Sequence, residues 1–173
     1  MNYREYLSRP LSKYFLDELV SYIFENPSDF DDFYPLIFEY DKKIAWRAAW
    51  SCVKLSEQKP EWFTDHNFKE ISILAITTFH GGLKRECLSI LFNLPLPNPI
   101  SVDLINACFE WMVAQKSPIA VQALSMKLLL RICQIEPDFK PELMATLENI
   151  DVENYSAGFK STRNNVLKNL TYN

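Results

Sequence analysis

The chain has 173 residues, a formal net charge of -4, 48% hydrophobic and 23% charged residues, and only three glycines. That length suits one domain with a sizeable core; so few glycines leave no glycine-rich phosphate loop, and the acidic balance disfavours broad binding of nucleic acid, which needs clustered Lys and Arg. The apolar runs fall far short of the roughly 20 residues of a membrane helix, and MNYREYLSRP has no signal-peptide core, so the expected compartment is the cytoplasm.

Pro10 precedes LSKYFLDELVSYIFEN, where Phe15, Leu19, Tyr22 and Ile23 recur at helical spacing and predict a helix over 11–26. Asn26-Pro27-Ser28 breaks that pattern. Ser28, followed by Asp29, Asp31 and Asp32, predicts a helix running to about Tyr40, with the acids at its positive end. Asp41 is read as the cap of KKIAWRAAWSCVKLSE, which ends near Gln58, before Pro60. The next helix runs from about Asn67 to Phe79, and Gly81-Gly82 reads as its stop through a left-handed residue. LKRECLSILFNL follows, until the prolines of Leu94-Pro95-Leu96-Pro97-Asn98-Pro99 deny the backbone its amides. Ser101 caps VDLINACFEWMVAQ. Ser117 and Pro118 give the cap-then-proline signature for PIAVQALSMKLLLRICQIE, which Pro137 ends. DFKPELMATLENI and YSAGFKSTRNNVLKNL complete the chain, and no segment carries a strand signal.

The helices come in pairs, and the second helix of each pair echoes the others. IAWRAAW (44–50) recurs as IAVQALS (119–125). Arg47, Arg85, Gln122 and Arg163 lie early in successive second helices at offsets of 38, 37 and 41. A helix-turn-helix unit of about 37 to 41 residues, present four times over 28–58, 66–94, 101–136 and 137–170, resembles HEAT-like repeats, whose units stack to bury their apolar faces. The expected fold is all-α: a right-handed α-solenoid of four helix pairs behind an N-terminal helix, forming a single domain over 1–173. Wide apolar stripes agree with helices buried on more than one side, such as Leu104, Ile105, Cys108, Phe109 and Met112 against Val121, Leu124, Leu128, Leu129 and Ile132.

DKKIAWRAAW, ACFEWMVAQKSPIAVQALSMKLL and YSAGFKSTRNNVLKNL also resemble a small bacterial family of HEAT-like, armadillo-type helical-repeat proteins, over about residues 21–170. Some members of that family carry an adenylosuccinate lyase label. The sequence argues against that activity, because true lyases of that kind are several times longer and carry a Ser-rich mobile loop that has no counterpart here. The resemblance therefore implies no site residues.

Positive charge concentrates on the second helices. The candidate interaction surface is Arg47, Lys54, Lys84, Arg85, Lys127, Arg131 and Arg163. For Arg47, Arg85 and Arg163, bracing of a neighbouring repeat competes with ligand binding. The N-terminal forty residues hold eleven of the 24 aromatics, and eight acids but no Lys or Arg occur from Tyr14 to Asp41, a pattern suited either to a capping repeat or to a partner surface. The four cysteines form no CxxC pair and read as buried hydrophobes; His66 and His80 lack nearby co-ligands, so no metal or cofactor is expected. No nucleophile elbow, zinc-protease or nucleotide-loop motif occurs. The expected function is a non-enzymatic interaction or adaptor module for another protein or an acidic peptide, with no membrane or nucleic-acid partner. The alternatives are a DNA alkylation-repair glycosylase type, suggested by Trp46, Trp50, Trp62 and Trp111, and the lyase activity itself.

Overall fold

The computed structural model describes residues 1–10 and 14–172. Among them there is no strand, and the α-helices are α1 (Tyr3–Ser8), α2 (Phe15–Glu25), α3 (Phe30–Phe33), α4 (Lys42–Gln58), α5 (Asp65–Thr77), α6 (Gly81–Asn93), α7 (Val102–Val113), α8 (Ile119–Ile135), α9 (Lys140–Glu148) and α10 (Ala157–Tyr172). They gather into two compact units, Met1–Pro95 and Leu96–Asn173.

In the first unit α4 is the central helix. The Asp41 carboxylate accepts the Lys43 amide at 2.9 Å and starts it, satisfying a donor that would otherwise be orphaned. Ala45, Ala48, Ala49, Cys52 and Leu55 are completely buried, so α4 is covered on several sides. Small alanines there let neighbouring backbones approach closely. Trp46 Nε1 reaches Glu86 near the start of α6, and Asn93 Nδ2 reaches Ser56 Oγ near the ends of both helices, so α4 and α6 run parallel. The N-terminal aromatics interlock on the other flank. Tyr3 meets Phe33 edge-on at 5.3 Å between ring centres, and Phe30 meets Phe63 at 5.0 Å and Trp62 at 5.6 Å. Phe33 is fully buried; its loss alone would cost about 3–5 kcal/mol.

In the second unit α8 is buried on several sides, with Val121, Met126, Leu128, Leu129 and Ile132 all completely covered. It packs against α7, α9 and α10. Tyr155 stacks on Phe159 at 4.0 Å and donates its hydroxyl to Val113 O at 2.5 Å, tying the entry of α10 to the end of α7.

Local chemistry moves several boundaries. The helix expected from Ser28 to Tyr40 is three pieces: a 3-10 turn at Pro27–Asp29, the single turn of α3, and a 3-10 stretch at Tyr34–Phe38. Pro35 removes an amide from the i→i−4 ladder, and the tighter winding accommodates the loss. Gly81 and Gly82 open α6 rather than stop α5, and no glycine takes a positive φ. His80 caps α6, its Nδ1 accepting the Leu83 amide at 2.9 Å. Gly82 serves close approach instead: a Cβ there would lie 3.1 Å from His80 Cε1 and 3.2 Å from Trp46 Nε1. The α5 start lies earlier than expected, at a Thr64–Asn67 capping box. Pro118, not Ser117, is the residue before α8. The 11–13 portion of the expected first helix lies outside the described residues, and α1 was not anticipated.

Candidate interaction surface

Of the seven cations, four lie in the first unit and three in the second. Arg47 points into the core with 6% of its surface exposed. Its Nη1 donates at 2.7 Å to Leu7 O and at 2.5 Å to Arg9 O, the carbonyls at the end of α1, and its guanidinium lies 5.6 Å from the centre of the Phe15 ring. Burial pulls its pKa down, with the charge of Asp41 opposing. Arg163 does similar work at the end of α9, where Nε donates to Leu147 O at 2.6 Å. Gln122 is the neutral version: Nε2 donates to Ala114 O at 2.9 Å, the residue that closes α7. The recurring position of the echo is thus a side-chain cap. Long donors early in a second helix satisfy carbonyls at the C-terminal end of an earlier helix, where cations and donors are favoured.

Arg85 departs from that pattern. It is paired with Glu86, Nε to Oε1 at 3.1 Å and Nη2 to the same oxygen. Glu86 is only 4% exposed and also accepts Trp46 Nε1 at 3.4 Å, so this buried carboxylate fixes both an arginine and an indole. Trp46 stacks on Trp50 at 5.7 Å and sits 6.4 Å from His80; both tryptophans remain half-buried at the surface of the first unit. Lys54 forms an exposed ion pair with Asp17, a contact of about 0–1 kcal/mol. Lys84 is half-exposed, and Arg131 is half-buried, its pKa lowered by burial.

Lys127 is exposed and lies on a groove between α8 and α10. Two cavities of about 400 Å³ each share Leu130 and Asn169 and so form one trough. One is lined by Lys127, Ser161, Thr162, Asn165 and Val166; the other by Cys133, Gln134, Pro137, Lys140 and Leu170. Leu130, Val166 and Leu170 are half-buried or buried, while Lys127, Gln134, Asn165 and Asn169 stand exposed at the rim. Asn169 Nδ2 donates to Asn165 O at 2.7 Å, which steadies one wall. The order of these residues shows that α8 and α10 run parallel. Lys140 and the amide rim were not among the sequence candidates. The Asn165–Asn169 spacing of one helical turn was the available signal; Lys140 sits at the start of a short first helix, where no periodicity marks it.

The cysteines are free and buried. Burial pushes the thiols of Cys87 and Cys108 up to about 12 and that of Cys133 to about 11, and raises Cys52 as well. Among the described residues no cluster of three His, Cys, Asp or Glu side chains converges, and no helix is long and apolar enough to cross a membrane.

A family model described as a HEAT repeat domain matches residues 3–170. No curated protein and no solved structure is similar enough to the chain to match it. With helices and no strand among the described residues, and a match over nearly the whole length, the chain belongs to the HEAT repeat domain family, an all-α fold of the α-solenoid class.

Proposed function

We propose that the chain is a non-enzymatic protein-interaction module, an adaptor whose ligand is another protein or an acidic peptide. The observation that carries this reading is the α8–α10 groove, with its apolar floor, amide and hydroxyl rim, and two lysines but no carboxylate in the lining. Leu130, Val166 and Leu170 offer burial to an apolar side chain, and the rim offers hydrogen bonds that orient a backbone. The one thiol there, Cys133, is held protonated by burial, which outweighs the opposing charge of Lys140, and no histidine or carboxylate lines the groove to activate it or the hydroxyls of Ser161 and Thr162, so the chemistry favours recognition over turnover. In this reading Arg47, Arg85 and Arg163 serve the fold, and Lys127 faces the ligand. The helix pairs are read as four repeats, 28–58, 66–94, 101–136 and 137–170, and the working compartment as the cytoplasm.

The test is affinity capture with the full chain as bait, followed by reconstitution with the purified partner. A saturable binary complex is expected. Fumarate release from adenylosuccinate, or base release from alkylated DNA, above the rate of a blank would overturn the non-enzymatic reading.

A further inference from the structure

The groove has a length, a width and a charge pattern, and together they specify a ligand more narrowly. From Ser161 to Leu170, α10 advances nine residues, about 14 Å at the helical rise. An extended chain covers that distance in about four residues. Both cavities are half open to the surface, so a segment in extended form can lie along the groove.

Lys127 lines the cavity at the Ser161–Thr162 end, and Lys140 lines the one at the Leu170 end. Neither has an ion-pair partner among the described residues, and no Asp or Glu lines either cavity. In a chain of net charge -4, this is a local cationic pair fitted to anionic groups at both ends. Leu130 is shared by both cavities and lies between the lysines. Alternate side chains of an extended segment point to the same side, so residues i, i+2 and i+4 would face the groove together.

We propose that the α8–α10 groove binds an extended protein segment with carboxylates at i and i+4 and an apolar side chain at i+2. The carboxylates meet Lys127 and Lys140, the apolar side chain covers Leu130, and the amides of Gln134, Asn165 and Asn169 hydrogen-bond the intervening backbone. This rests on the reading of the groove as a protein-binding site.

The test uses the full chain and a fluorescein-labelled peptide, Gly-Glu-Ser-Leu-Ser-Glu-Gly, read by fluorescence anisotropy. Saturable binding below about 1 mM is expected. Affinity should fall about tenfold when both Glu become Gln, when Leu moves to i+1, and when the protein carries Lys127→Glu with Lys140→Glu at unchanged Tm. No saturation by that peptide, indifference to the lysines or to the Leu position, or tighter binding of a single-stranded thymidine oligonucleotide would each overturn the assignment. The same double variant separates this inference from the broader one. A captured partner retained by both parent and variant leaves the interaction reading standing and removes the groove from it; a partner lost from the variant supports both.

Discussion

Replacing Arg47 with Ala should release α1 from α4. The Arg47 guanidinium is the shared donor for Leu7 O and Arg9 O, and hydrogen bonds from a charged group are worth about 1.5–3 kcal/mol each. Arg47 is 6% exposed and its Nε has no partner, so desolvation offsets part of that gain. A net loss of about 3 kcal/mol follows. A helix of six residues has no independent stability, so the loss falls first on α1, which opens without the rest of its unit unfolding. An energy of that size raises the open population roughly 100-fold. Hydrogen exchange read by mass spectrometry over Tyr3–Arg9 is the assay. Exchange there should accelerate roughly 100-fold in Arg47→Ala and by much less in Arg47→Lys, which keeps a cation but not the planar fork, while peptides from α7 stay unchanged. If α1 protection in Arg47→Ala stays within about twofold of the parent, the clip is not energetic, and the capping account of Gln122 and Arg163 loses its main support.

Other expectations follow from the same geometry. Ala48→Glu places a charge at a completely buried position on α4 and should destabilise by several kcal/mol, about 3–5, read as a loss of Tm; an unchanged Tm would mean that α4 is not packed as described. Arg85→Ala strands the buried Glu86, so it should destabilise more than the double variant Arg85→Ala with Glu86→Gln; a double-mutant cycle on urea unfolding measures the difference. Gln122→Ala should cost only about 1 kcal/mol, because Ala114 O also accepts the Ser117 amide. Burial keeps the thiols protonated in the folded chain, so a thiol reagent at pH 8 should label Cys133 first and the others only on unfolding. Because the unfolded thiols ionise from about pH 8.5 while the folded ones hold their protons to about 11 or 12, stability should decline as pH rises above about 8.5.

Much of the architecture was legible because helices announce themselves by period and by caps. Asp41, Ser101 and the apolar stripes of α7 and α8 lead directly to helices in the structure. What misled was proline and glycine chemistry read one residue at a time. Pro35 turns an apparent helix into 3-10 pieces, and Gly82 serves an indole pressed against α6 rather than a left-handed stop. The site was less legible. A repeat period identifies equivalent positions, but it does not say whether a long polar side chain at such a position points inward to a carbonyl, as Arg47 and Gln122 do, or outward to a groove, as Lys127 does. The Arg47-to-Gln122 change loses a charge and keeps a donor, which is all that a carbonyl at a helix end requires. Lys140 could not be found by period, because it belongs to α9 and reaches the groove only through the fold.

The measurement closest to the central claim is a parallel affinity capture with the parent chain and with Lys127→Glu/Lys140→Glu, each captured protein then purified and its Kd measured directly against both baits. The account predicts a partner that binds the parent saturably and binds the variant at least about tenfold more weakly, with both baits melting at the same temperature. Equal Kd values for the two baits, or no purified protein that binds the parent at all, would contradict it.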